Sequence, residues 1–293
     1  MKLSAWLDRH MKWILFGPAV LVMAAIFLYP LAYAFNLSLH DWSFFTLNDP
    51  PFVGLRNYGN ALRDLELWSA LGKTGIFVGI GLILQFSIGM ALALGVDKLG
   101  RQGGLLTTLL VMPMMVTPVV VGLGWKFILD YNFGIFNYVR TVLGIQPVAV
   151  LSSSRWALLT MTLVDTWQWT PFIFLVLLAG LRSLPHEPYE AAIVDGAGPW
   201  HIFSRITVPL LKPVLVVALV MRMAGAAKVF DHIFVLTGGG PGTATEVVSL
   251  HLYRKAFQSY EMGYASAVAL LLTLLIALIS WWAMRTLYAE SET

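Results

Sequence analysis

Cysteine is absent from all 293 residues, so disulfides, thiolate nucleophiles and cysteine metal ligands are excluded. Charge is scarce as well: Asp, Glu, Lys and Arg make up 12% of the chain, against 58% hydrophobic residues. That leaves too little polar surface to cover a globule of this size in water, and the chain belongs in a bilayer. No metal-ligand spacing links His10, His40, His186, His201, His232 and His251, and no His-Glu pairing of a hydrolase occurs. A phosphate loop is missing too, because Leu67 stands where the first glycine is needed ahead of Gly72-Lys73-Thr74. The pI near 9.1 does not point to nucleic acid, since no basic cluster is interleaved with aromatics. No catalytic constellation and no metal site emerges.

What the chain has is long apolar runs. A helix needs about 20 residues to cross hydrocarbon, and runs of that length fall at 13–35, 72–96, 105–128, 156–181, 214–236 and 264–287. The fold class expected is all-α integral membrane, with six transmembrane helices inside one membrane domain spanning 13–287. Arg222, Lys228 and Asp231 interrupt the fifth run. The first run is longer than the h-region of a signal peptide, about 7 to 15 residues, so it reads as a retained helix.

Lys and Arg accumulate in cytoplasmic connections. A cytoplasmic N-terminus (1–12) puts Lys2, Arg9, Lys12, Lys98, Arg101, Arg182, Arg205, Lys212 and Arg285 inside, together with the loop 182–213 and the tail 288–293. Arg56, Arg63, Arg140, Arg155, Arg254 and Lys255 then lie outside. The outer connections combine turn residues such as Asn48-Asp49-Pro50-Pro51 and Thr237-Gly238-Gly239-Gly240-Pro241-Gly242 with aromatics such as Trp42, Phe52, Tyr131 and Tyr138. They suit either a soluble partner or a resting place at the membrane interface.

Between the fourth and fifth runs lies a polar island, Glu190 to Pro209. Glu187, Glu190 and Asp195 are too polar for hydrocarbon, while Ala191, Ala192, Ile193 and Val194 favour a short helix. Asp195-Gly196 supplies a turn at which glycine takes a positive φ without steric cost. Gly198 and Pro199 suit the N-cap and first position of a second helix, on which Trp200, Phe203 and Ile206 share a face. Pro209 and Pro213 are expected to end it. An exposed apolar stripe beside a carboxylate fits a groove in another protein. The alternative is an amphipathic segment lying on lipid, for which Arg205 and His201 supply few cations.

An ionisable group inside a membrane is by default functional and has a partner. Arg222 lies nine residues beyond Pro213, or roughly 13 Å along a helix, near mid-depth of the fifth run. On a continuous helix it faces away from Asp231, so its expected partner is Asp165 of the fourth run. Lys228 and Asp231 are three apart, and either pair with each other or touch a solute. Around Asp165 stand Trp167, Gln168 and Trp169, flat faces and polar groups suited to a sugar, or else simple packing between helices. Pro113, Pro118 and Pro171 are expected kinks whose freed backbone groups need partners. Gly75 and Gly79 form a G-x-x-x-G pair suited to close helix contact, and Lys126 beside Trp125 is expected to snorkel.

Glu190-Ala191-Ala192, Asp195-Gly196-Ala197 and Ile206-Thr207-Val208-Pro209 together resemble the EAA loop of the inner-membrane permease subunits of binding-protein-dependent ABC importers, with Val208 where that family more often has Leu. Phe52 to Tyr58, Trp169-Thr170-Pro171-Phe172, and Lys228-Val229-Phe230-Asp231 with Leu236 to Gly242 are similar to its carbohydrate branch, of maltose-F or glycerol-phosphate-A type. The resemblance implies import of a carbohydrate or related polyhydroxylated solute by alternating access in a bacterial cytoplasmic membrane. It also implies a second homologous permease, two ATP-binding cassette ATPases that bind the ATP and Mg, an extracytoplasmic solute-binding protein, and no catalysis by this chain. Coupling residues carried over are Glu190, Ala191, Ala192, Asp195, Gly196, Ala197, Trp200, Ile206 and Pro209. Two other classes remain open at the level of residues. One is an ion-coupled carrier using Asp165, Arg222, Lys228 and Asp231, although no internal repeat supports it; the other is a membrane scaffold or intramembrane enzyme.

Overall fold

In hydrocarbon no water is available to backbone N–H and C=O groups, and a helix satisfies nearly all of its own, so apolar runs become helices. The computed structural model describes residues 2–46, 49–100 and 103–289, and among them the regular elements are helical, with two isolated β-bridges. Asn48, Arg101, the side chains of Lys2, Arg9 and Lys12, and the tail from 290 onward lie outside the described residues. Among the described residues five helices are long and apolar enough to span, and a bent pair makes a sixth if counted as one. The chain divides into two units, Met1–Asp64 with Leu252–Leu274, and Leu65–His251 with Leu275–Thr293.

In the first unit, α1 (Lys2–Ser38) exposes its apolar side chains from Phe16 to Phe35 almost throughout. The loop after it is ordered by its polar residues. Buried Asn57, on α2 (Arg56–Arg63), donates through Nδ2 to the carbonyls of Ser38 (2.9 Å) and His40 (3.0 Å). Tyr58 and Ser38 share a hydroxyl contact of 2.7 Å. Tyr264, in the part of α13 (Met262–Ala289) that belongs to this unit, donates its hydroxyl to Asp64 at 2.5 Å.

The second unit is organised around α7 (Ala157–Ser183), the most buried of the spans. It packs along α3 (Leu65–Lys98), with α4 (Gly103–Met115) and α10 (Val208–Ala226) also against it. Ala93, Val96, Ile173, Phe174, Leu177, Leu178, Leu211 and Ala218 form the buried cluster between them. Glycines let these helices approach. A Cβ on Gly89 would come within 2.9 Å of Ile173, and one on Gly180 within 2.7 Å of Leu211. At Gly75 and Gly79, where close helix contact was expected, a Cβ would meet nothing within 4 Å among the described residues of this chain. Close packing runs instead along the α3 face carrying Gly81 and Gly89.

The third run is broken. α4 ends at Met115, α5 (Pro118–Ile128) begins after two intervening residues, and their axes are bent by 92°. The cause is Pro118, which pushes Thr117 into extended backbone (φ −63°, ψ 143°) and starts a new helix at its first turn. The fifth run also departs from expectation. Its helix is not 214–236; it extends from α9 (Pro199–Ile202) through a π-helical stretch, Phe203–Thr207, into α10 and stops at Ala226. Pro209 and Pro213 do not end the preceding helix. Pro209 falls in the first turn of α10, where its missing N–H is harmless, and Pro213 is carried inside the helix. Residues 227–230 are non-helical, and α11 (Asp231–Leu236) follows as a short separate helix.

Candidate solute pathway and coupling elbow

Where α3, α7 and α10 come together, three polar side chains close a ring. Arg222 donates through Nη2 to Asp165 Oδ2 and through Nε to Gln85 Oε1 (2.8 Å), and Gln85 Nε2 donates to the same carboxylate oxygen (2.9 Å). The Arg222 and Asp165 side chains are only 4% and 2% exposed. Such a pair is tolerable out of water because each charge finds both its counter-ion and hydrogen bonds. Arg222 therefore has the partner expected for it. Its guanidinium also lies over the ring of Trp169, 5.2 Å from the centroid, and so covers one aromatic face. Gln85 was not singled out from the sequence, although a lone amide within an apolar run of α3 was itself a signal.

A cavity of roughly 430 Å3 opens beside this ring. Asp165, Trp169 and Arg222 border it, and so do Lys228, Asp231 and His232. Four of the expected pathway residues beyond Asp165 are thus brought to one space, and two are not. Trp167 points away, 45% exposed and edge-on to Trp125 at 5.6 Å. Gln168 is buried and donates through Nε2 to the carbonyl of Val116 at 2.9 Å. It serves the break in the third run, meeting the backbone need that Pro118 creates. The expected Lys228–Asp231 pair is also absent among the described residues, because that expectation assumed a continuous helix and the helix ends between Ala226 and Asp231. His232, passed over in the sequence because only metal spacing was tested, is buried and brings Nε2 to 3.5 Å from Asp165 Oδ1. Close contact of α5 with α11 holds it there: a Cβ on Gly122 would lie 3.2 Å from its Cα.

The segment beyond α11 is fastened to the same unit. Thr237 and Thr245 share a hydroxyl contact of 2.7 Å, Thr245 donates to Gly240 O at 2.8 Å, and Thr74 on α3 accepts from Val248 N at 2.9 Å. Ser249 donates to the carbonyl of Val229 in the non-helical strip that edges the cavity. Lys126 does not simply snorkel, since its Nζ donates to Val235 O at 3.2 Å.

The polar island folds as a helical elbow. α8 (Glu187–Val194) ends in Gly196 at φ +74°, with Gly196 N–H bonding Ile193 O (3.0 Å) and Ala197 N–H bonding Ala192 O (2.9 Å). This double bond pattern is a Schellman C-cap, which requires the left-handed glycine. Gly198 then caps α9 and Pro199 opens it, as expected. Ala192 is buried, whereas Glu190, Ala191 and Asp195 are exposed. Ile193, Val194 and Trp200 present apolar side chains 66%, 86% and 76% exposed, while Phe203 and Ile206 are half-buried.

Residues 85–287 match the family described as the inner membrane component of binding-protein-dependent transport systems. The chain belongs to this family. It is 37% identical over 266 residues to a probable ABC transporter permease protein, y4oQ, of Sinorhizobium fredii, covering 90% of this chain and 85% of that one. It is also 37% identical over 273 residues to the trehalose/maltose transport system permease protein MalF of Thermococcus litoralis (92% and 90% covered). Its fold matches a chain of a bacterial ABC transporter involved in the import of the acidic polysaccharide alginate, at a TM-score of 0.82 and 23% identity over 99% of both chains. This permease is thus a multi-pass, inner-membrane subunit of an ABC importer and not the subunit that hydrolyses ATP. Family membership disfavours the ion-coupled carrier.

Proposed function

We propose that this permease forms half of the pathway for a carbohydrate or related polyhydroxylated solute, beside a second homologous permease. Two ATPase subunits grip the elbow, and an extracytoplasmic binding protein delivers the solute. The observation that carries the coupling role is the elbow's exposed face. Ile193, Val194 and Trp200 are open on a turn held rigid by its own backbone bonds, next to an exposed Glu190. Apolar groups displayed from a preformed element suit docking in a cleft of a partner. Support for the carbohydrate class comes from the relatives, whose names specify trehalose and maltose, trehalose, and sulfoquinovosyl glycerol.

Because the chain lacks cysteine, single cysteines at Ala191 or Trp200 are unique reporters in it. In the assembled importer they are expected to crosslink to the ATPase subunit, and Glu190→Ala is expected to reduce solute-stimulated ATP hydrolysis while leaving assembly intact. Crosslinks to lipid only, with transport undisturbed by Glu190→Ala, overturn the coupling role.

A further inference from the structure

Buried polar atoms nearly always have a partner, so one that lacks a partner calls for an explanation, and beside a cavity a bound group supplies one. Asp165 uses Oδ2 for Arg222 and Gln85, but its Oδ1 has no hydrogen bond. Neither ring nitrogen of His232 has one either. Both side chains are 2% exposed, and both residues border the 430 Å3 cavity. Gln168 Oε1 and Thr166 Oγ1 are also without a partner, yet neither residue borders the cavity.

We propose that Asp165 Oδ1 and His232 Nε2 together form a hydroxyl-reading subsite for the transported solute, an inference that rests on the polyhydroxylated-solute reading above. The two atoms are 3.5 Å apart. That is too far for a good bond to each other, yet one hydroxyl oxygen at the ordinary distance of about 2.8 Å reaches both. The hydroxyl donates its proton to the carboxylate oxygen and accepts from the imidazole N–H, so one donor and one acceptor are satisfied by a single group. An ether, a methyl or a carbonyl satisfies at most one of them. The ring of Arg222, Asp165 and Gln85 sets the geometry. By occupying Oδ2 and one face of Trp169 it leaves the carboxylate a single unbonded oxygen, the one that lies 3.5 Å from His232 Nε2. His232 is therefore a specificity-determining residue, and Arg222 and Gln85 are positioning residues.

The test uses the importer assembled with its ATPase and binding protein in proteoliposomes. Uptake of trehalose, maltose and sorbitol by the wild type is measured first; no ATP-dependent uptake of any of these overturns the carbohydrate reading and the subsite with it. If trehalose is carried, its monodeoxy analogues are compared in the wild type and in His232→Phe; if maltose or sorbitol is carried instead, the deoxy analogues are those of that solute. The binding protein is common to both importers, so its own preferences cancel in the ratio. In His232→Phe, kcat/KM for the parent sugar is expected to fall about tenfold, the worth of a lost hydrogen bond with its partner left stranded. One deoxy analogue is expected to fall by less than about twofold, because the hydroxyl it lacks had no bond to lose. His232→Gln, which keeps an N–H donor, is expected to restore part of the parent rate and guards against misfolding of the Phe variant. An equal fall for every analogue, or no fall for the parent, overturns the subsite and assigns the atoms to water or packing, while uptake by the wild type leaves the carbohydrate reading standing.

Discussion

Asp165 and Glu190 are both carboxylates that lipid alone does not accommodate, and the chain deals with them in opposite ways. Asp165 is buried, and its partners Gln85 and Arg222 lie 80 and 57 residues away in sequence. Glu190 is exposed, on an elbow whose defining bonds link residues no more than five apart, such as Ala197 to Ala192. The first site exists only when three helices are in register. The second is preassembled by local backbone geometry and leaves its apolar residues for another protein. A buried ring of that kind resists change in one partner, whereas the elbow tolerates change thermodynamically and is sensitive in function.

The sharpest way to break this contrast is to remove one charge from the ring. Arg222→Met strands Asp165 in a low-dielectric interior and is expected to destabilise the permease by about 3–5 kcal/mol, the loss that follows when one partner of a buried pair is deleted. Thermal unfolding in detergent measures it. The double variant Asp165→Asn with Arg222→Met removes the orphaned charge and is expected to recover most of the stability while remaining impaired in transport. If the single and double variants are equally unstable, the ring contributes shape and not charge compensation.

Next in size is the amide that serves the broken third run. Gln168→Leu keeps the volume but leaves the carbonyl of Val116 without its donor, at a cost of about 1–3 kcal/mol. Gln168→Glu, which has no donor when ionised, is expected to do no better. Stability unaffected by either change would mean that water reaches the break.

At the elbow, Gly196→Val places a β-branched side chain at φ +74°, a strain of roughly 1–2 kcal/mol. The expected readout is lopsided. A modest shift in unfolding should accompany a large loss of solute-stimulated ATPase activity in the assembled importer. Proportionate losses in both would make Gly196 an ordinary structural residue.

The same contrast explains which parts were legible from the residues alone. The elbow was, because a Schellman cap, a glycine N-cap and a proline start are local events that residue types specify directly. Arg222 to Asp165 was inferred by elimination, since a mid-run charge must be answered by another. Gln85 and His232 were missed because their roles depend on which faces meet. Lys228 and Asp231 were given a shared helix face by spacing, but the chain stops being helical at Ala226. The fifth span was displaced for a related reason: prolines at positions 209 and 213 look like stops, whereas at the first turn of a helix, or inside a span packed by neighbours, they do not stop it.

The smallest prediction separates two kinds of glycine on α3. Gly75 and Gly79 have nothing within 4 Å of a would-be Cβ, whereas Gly89 has Ile173 at 2.9 Å. Alanine at Gly75 or Gly79 therefore removes only the backbone freedom of glycine and is expected to stabilise the helix by about 0.5–1 kcal/mol. Gly89→Ala is expected to destabilise, since Ile173 and the α7 backbone beside it must move. The signs can be read by thermal unfolding of the lone permease and then of the assembled importer. Stabilisation of the lone chain by Gly75→Ala that turns into a loss in the assembly would place a tightly packed neighbour, such as the second permease, against that face of α3. Stabilisation in both states would leave that face to lipid, and the G-x-x-x-G spacing would then carry no contact in either setting.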